Sequence, residues 1–322
     1  MTGREGKLHC VCCSRPGIVE AVRIVSLLPS ATEIVCALGA RAELVGRSHE
    51  CDFPPGVDDV PVLTSARIEP LPSSKAIDRA VRDVLADALA IYRIDLERLR
   101  EARPDVIVTQ DLCDVCAVSL ADVRSAVARL ARQDVAIVNL RPMRLADIWD
   151  DVLRVADAIG RGDAGREIVA TLRARVAAIA GRAEATARKP RVLTIEWISP
   201  VMIGGMWMPE LVSLAGGTAL VTEAGQHAPT LDAARLAALD PDVVLVKPCG
   251  FTLSRTLEEI DVLRGAFPRT WHARVYAADG NAYFNRPGPR VVESLEILAT
   301  CVHPEAFPDF AEKHARSFTL LR

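Results

Sequence analysis

Short apolar, β-branched runs alternate along the chain with stretches whose apolar residues recur at a spacing of three and four. The first pattern favours buried strands and the second favours helices with one apolar face. Strands are predicted over Arg23–Leu28, Leu44–Ser48, Asp105–Thr109, Val135–Leu140, Arg191–Glu196, Asp242–Val246 and Val275–Ala278. Helices are predicted over Ala31–Leu38, Ser74–Leu89, Asp95–Ala102, Leu120–Ala131 and Arg290–Cys301, with another ending at Leu236–Ala238. Strand and helix in alternation indicate parallel α/β units. Ser30-Ala-Thr-Glu33, just after Pro29, reads as a capping box that starts the first helix.

From Leu145 to about Ala187 the helical period continues without a strand, and Gly160, Gly162, Gly165 and Gly181 are its only soft positions. The expectation is a connecting helix, 145–188, that acts as a stiff strut. It would join an N-terminal α/β lobe, 21–144, to a C-terminal one, 189–322, behind a flexible leader, 1–20. The halves echo each other. Leu96–Val108 and Ala234–Val246 both read as a helix, a Pro-Asp turn and a buried strand. A common αβ joint and a true repeat both account for this likeness. Open α/β sheets bind ligands at the carboxyl ends of their strands, so the strand-exit loops are where chemistry is expected.

Composition narrows the field. The 322 residues are 50% hydrophobic and 25% charged, enough apolar material for two cores at roughly 150 residues per domain. With 39 basic and 42 acidic residues, nothing in the balance draws the chain to nucleic acid or an anionic surface. No apolar run approaches the roughly 20 residues that span a bilayer, which argues against membrane insertion. Met1–Gly17 lacks a secretory pattern, and the nine irregularly spaced cysteines are not a disulfide framework; both suggest the cytoplasm. No dinucleotide fingerprint, phosphate loop, nucleophile elbow or paired metal histidines occur, so catalysis is not expected.

The strand exits carry sulfur. Cys51, Cys113, Cys116 and Cys249 each follow a predicted strand within a few residues. If the lobes face each other, they form a possible four-thiolate set suited to zinc or an iron-sulfur cluster, with His49 and Glu50 as neighbours or substitutes. Buried packing is the alternative for Cys51 and Cys249, less so for Cys113 and Cys116 in the polar segment Gln110–Cys116. Cys36 and Cys301 lie on apolar helix faces, and Cys10, Cys12 and Cys13 lie in the leader. Trp197 ends a strand, Trp207 follows a Gly204-Gly205 hairpin turn, and Tyr283 and Phe284 occupy the last strand-to-helix loop. Such groups around a cleft favour a flat, largely apolar ligand with polar edges.

The order of elements, with Leu28-Pro-Ser-Ala-Thr-Glu-Ile34, Val45-Gly-Arg-Ser-His-Glu-Cys-Asp-Phe-Pro54 and the two Pro-Asp-Val strands, resembles the class III substrate-binding proteins of ABC importers. These bind iron-siderophores, haem or cobalamin, and the likeness runs from Arg23 to Cys301. It implies two Rossmann-like lobes with a ligand cleft between them. It further implies a non-enzymatic binder of cobalamin, another corrinoid or a related metal-tetrapyrrole, with an ABC permease as a possible partner. In that frame Trp197, Trp207 and Tyr283 would cover the ligand's faces, and Glu50, Gln110 and Arg286 would meet its polar edges. The alternative is a cytosolic metalloprotein that holds zinc or an iron-sulfur cluster through the cleft cysteines.

Overall fold

The computed structural model describes residues 21–68, 71–86, 92–110, 120–129, 134–268 and 270–321. The leader, with Cys10, Cys12 and Cys13, lies outside them, as do Cys113 and Cys116.

The N-terminal lobe is built on a parallel sheet of β1 (Ile24–Ser26), β2 (Leu44–Arg47), β5 (Val106–Gln110) and β6 (Ala136–Leu140), in the order β2-β1-β5-β6. A separate antiparallel pair, β3 (Thr64–Ala66) and β4 (Tyr92–Ile94), stands beside it. Its helices are α1 (Pro29–Ala37), α2 (Ser74–Ala86), α3 (Leu96–Ala102) and α4 (Leu120–Arg129). The C-terminal lobe has a mixed sheet. In it β7 (Arg191–Trp197), β11 (Val243–Val246) and β12 (Arg274–Ala278) run parallel at the centre, and β9 (Thr218–Ala219) runs parallel to β7. Antiparallel edges are added by β8 (Val201–Ile203), β10 (Thr230–Leu231) and β13 (Phe318–Leu320). The expectation of purely parallel units therefore holds for the centre of this sheet and fails at its edges.

The central strands are buried on both faces, as parallel strands covered by helices must be. Ile24, Val106 and Val108 point into one core while Val25 and Ile107 point into another. In the second lobe Val243 and Leu245 face one side and Val244 and Val246 the other. The Pro-Asp echo is a structural repeat. Asp105 Oδ2 accepts the Arg23 N–H at 2.9 Å and Asp105 N–H donates to Arg23 O at 2.8 Å. Asp242 does the same to Arg191, at 2.7 and 2.9 Å. In each lobe this aspartate fixes the register at which β1 or β7 enters its sheet.

The predicted strut is two helices, α5 (Leu145–Ala158) and α6 (Gly162–Glu184). Gly160, at φ +71°, ends α5 in a left-handed turn, with Gly160 N–H on Asp157 O and Arg161 N–H on Ala156 O. This is the bonding pattern that a glycine just past a helix end supports. The chain then folds back, and α5 packs on α1 and β6 while α6 packs on α7 (Met208–Leu214) and α11 (Val291–Val302). The expected rod is thus a hairpin wedged between the lobes, and one apolar core runs from Ile24 and Val35 through Trp149 and Val176 to Leu211 and Leu295. Short helices complete the second lobe: α8 (Ala233–Ala237), α9 (Leu253–Glu258), α10 (Ile260–Ala266) and α12 (Pro308–Lys313). Among the described residues no helix is long and apolar enough to cross a membrane.

Candidate ligand-binding cleft

The carboxyl ends of both parallel cores open on one cavity of about 420 Å³, within the usual range for small-molecule sites. From the first lobe it receives Leu28, Pro29 and Ser30 at the start of α1, Glu50 beyond β2, and Gln110 at the end of β5. From the second it receives Glu196 and Trp197 at the end of β7, Cys249 and Phe251 beyond β11, and Asn281, Asn285 and Arg286 beyond β12. Ile77, Asp78 and Val81 of α2 and Tyr92 of β4 close a further side. Trp197 and Phe251 meet edge to face, their ring centres 5.3 Å apart.

Of the residues expected here, Glu50, Gln110, Trp197, Cys249 and Arg286 do line the cavity. Trp207 does not. The hairpin turn lies at Ile198–Pro200, before β8, and Gly204 and Gly205 serve close contacts instead. A Cβ on Gly204 would come within 2.5 Å of Thr194 Oγ1, and one on Gly205 within 2.5 Å of Gln226 O. The chain beyond them carries Trp207 into the shared core at 5% exposure, where its indole N–H has no acceptor among the described residues. Tyr283 also turns away, packing edge-on against His314 and beneath Arg290.

Of the four candidate sulfur ligands, Cys113 and Cys116 lie outside the described residues, Cys249 lines the cavity and Cys51 does not. Cys51 is buried beside Thr32, whose hydroxyl is 3.0 Å from Sγ, and burial pushes its thiol up to about 11. It is a neutral packing group. Among the described residues no cluster of three or more His, Cys, Asp or Glu side chains could hold a metal. His49 bonds Thr64 at 2.7 Å and lies tilted against Tyr92, ring centres 5.1 Å apart, and burial lowers its pKa. The expected capping box is not formed, because Glu33 is drawn to arginines of the other lobe and Ser30 Oγ has no partner among the described residues.

Those arginines form the polar floor between the lobes. Arg286, 7% exposed, holds Asp52 bidentately at 2.5 and 3.0 Å and reaches Glu33 at 3.4 Å. Arg290 holds Glu33 at 3.0 and 2.6 Å and lies 3.8 Å above the Phe53 ring. Burial alone would raise the Asp52 pKa, but the Arg286 hydrogen bonds and charge bring it below the ordinary carboxylate value. Arg286 was expected to touch ligand; its guanidinium is committed to the lobe interface. Sequence reasoning missed Lys247, fully buried at the end of β11, whose ammonium meets Glu196 at 3.1 Å and Asn285 at 3.2 Å. A lysine directly after Val-Val-Leu-Val was the available signal.

Two facing α/β lobes, a central helical connection and a cleft at the strand exits agree with what comparison with known proteins finds. The family model described as Periplasmic binding protein matches residues 24–264. The chain belongs to the periplasmic binding protein family. It is 21% identical over 290 residues to a vitamin B12-binding protein of Vibrio cholerae, covering 87% of this chain and 88% of the relative. It is 19% identical over 300 residues to an uncharacterised ABC transporter substrate-binding lipoprotein of Bacillus subtilis, covering 90% of this chain and 82% of the relative. Among solved structures, the periplasmic haem-binding protein of Roseiflexus sp. RS-1 superposes with a TM-score of 0.64 at 22% identity, covering 90% of this chain and 99% of that one. The resemblance to class III substrate-binding proteins and the two-lobed fold class are borne out. The cytoplasmic assignment is overturned, since these relatives are named as periplasmic or lipoprotein members and point away from that compartment. The family is one of substrate binding, not of catalysis.

Proposed function

We propose that this periplasmic binding protein serves an ABC importer by holding a corrinoid in the cleft, with the ring against Trp197 and Phe251. The cleft's charge carries the choice of a corrinoid over haem. Arg286, the only cation among the described lining residues, is already engaged by Asp52, and Lys247 behind the wall is engaged by Glu196. Asp78 pairs with Arg82 of its own helix. Glu50 accepts a hydrogen bond from the Tyr92 hydroxyl at 2.7 Å and has no cation partner among the described residues.

An anionic ligand such as haem, with its propionates, would enter this cleft against an unbalanced carboxylate and with no free cation among the described lining residues to meet it. A corrinoid presents amide side chains, whose N–H groups suit Glu50 and whose carbonyls suit Asn281 and Gln110. The vitamin B12-binding relatives support this reading. Titration with cyanocobalamin, dicyanocobinamide and hemin, followed by visible spectrum and calorimetry, tests it. A corrinoid is expected to bind at micromolar concentration or below and more tightly than hemin; the reverse order, or no corrinoid binding, overturns it.

A further inference from the structure

The helix α2 stands between β3 and β4 of the first lobe in sequence, yet its N-terminal end is fastened to the second lobe. Ser73 Oγ accepts the Ala76 N–H at 3.2 Å and starts the helix. The Ser74 N–H, which no helical carbonyl can serve, lies 2.9 Å from each carboxylate oxygen of Glu259. Glu259 is nearly buried and is held at 2.8 Å by Arg255, which also donates to Pro72 O at 2.5 Å and lies over Phe251. A carboxylate at the positive end of a helix, receiving charge-assisted bonds, is a strong clamp for so small a contact.

Beyond the clamp, α2 leans on space. Ile77, Val81 and Val84 form its apolar stripe, all three are only half-buried, and the first two line the cavity. An amphipathic helix normally covers such a stripe with protein. Here part of it faces the place where the ligand would lie.

We propose that α2 is a strap, pinned at one end by Glu259 and Arg255, that forms a third wall of the cleft and must loosen for ligand to pass. Its role toward ligand rests on the corrinoid reading above. Glu259 acts as a positioning residue and does not itself line the cavity.

Hydrogen exchange of residues 74–86, with cyanocobalamin release followed by a visible-spectrum chase, tests the strap in wild type, Glu259→Ala and Glu259→Gln. In the free protein, Glu259→Ala is expected to speed exchange in α2 while leaving the β7–β11–β12 core unchanged. Cyanocobalamin is expected to slow exchange in wild-type α2, and its release to be about tenfold faster from Glu259→Ala, with Glu259→Gln between the two because one acceptor oxygen remains. Exchange in α2 that ignores ligand, or release that ignores Glu259→Ala, overturns the strap. If no corrinoid binds, the corrinoid reading fails separately, and the free-protein comparison still decides the clamp: equal α2 exchange in wild type and Glu259→Ala overturns it.

Discussion

Glu50 and Arg286 line the same cleft with opposite charge, and only the carboxylate is open to a ligand. The difference lies in their neighbours: Asp52 occupies both outer nitrogens of Arg286, while Glu50 has a phenol for company. Replacing Glu50 by Lys should therefore change selectivity more than stability. Corrinoid affinity is expected to fall about tenfold, from the lost acceptor, and hemin affinity to rise by a similar factor. Parallel titrations with the two ligands measure both, and a variant that loses affinity for both equally would argue against charge as the discriminator. At this scale the sequence was legible for position and silent on direction. Cys51 and Glu50 are adjacent beyond the same strand, yet one side chain enters the core and the other enters the cleft. A strand-exit loop has no fixed period to say which way each residue points.

Elements with a strong period were the most legible. The parallel central strands, α1, α3, α4 and α11 fall where apolar spacing puts them, and the two Pro-Asp turns match because each aspartate ties its loop to the start of a neighbouring strand. The edge strands β8, β10 and β13 were missed, being two or three residues long with little pattern to detect. The break at Gly160 was visible only as a soft spot, since a single glycine is compatible with a continuing helix. Its left-handed φ of +71° makes a clean test, because a Cβ placed there meets nothing within 4 Å. Gly160→Ala is expected to cost about 1 kcal/mol through backbone conformation alone, read as a lower urea midpoint with an unchanged slope. Little change in the midpoint would mean that the turn does not need a left-handed residue.

Across the whole molecule, charge couples helices far apart in sequence. Glu296 of α11 is nearly buried and is met by Arg175 of α6 at 2.8 Å and by Lys313 of α12 and the adjoining His314 at 2.6 and 2.7 Å. Burial opposes its charge, but the bonds from His314, Lys313 and Arg175 prevail and bring its pKa from 4.5 to about 2. A carboxylate lowered in the folded state adds stability that is present above the unfolded value and lost as pH falls from about 4.5 toward 2. Glu296→Gln should be less stable than wild type at pH 7 by on the order of 2 kcal/mol, with the gap narrowing below about pH 4.5 and closing only near pH 2 in urea unfolding. A gap that is constant with pH would show that the titration of Glu296 is not its source.

The interlocked α5–α6 hairpin has one more consequence. Trp149, Val176 and Leu295 belong to a single apolar mass, so a chain severed near residue 144 or 188 would leave each fragment with an open, water-averse wound. Fragments produced apart should be sticky and poorly soluble, and producing them together in one cell is the way to recover a working receptor from a split gene.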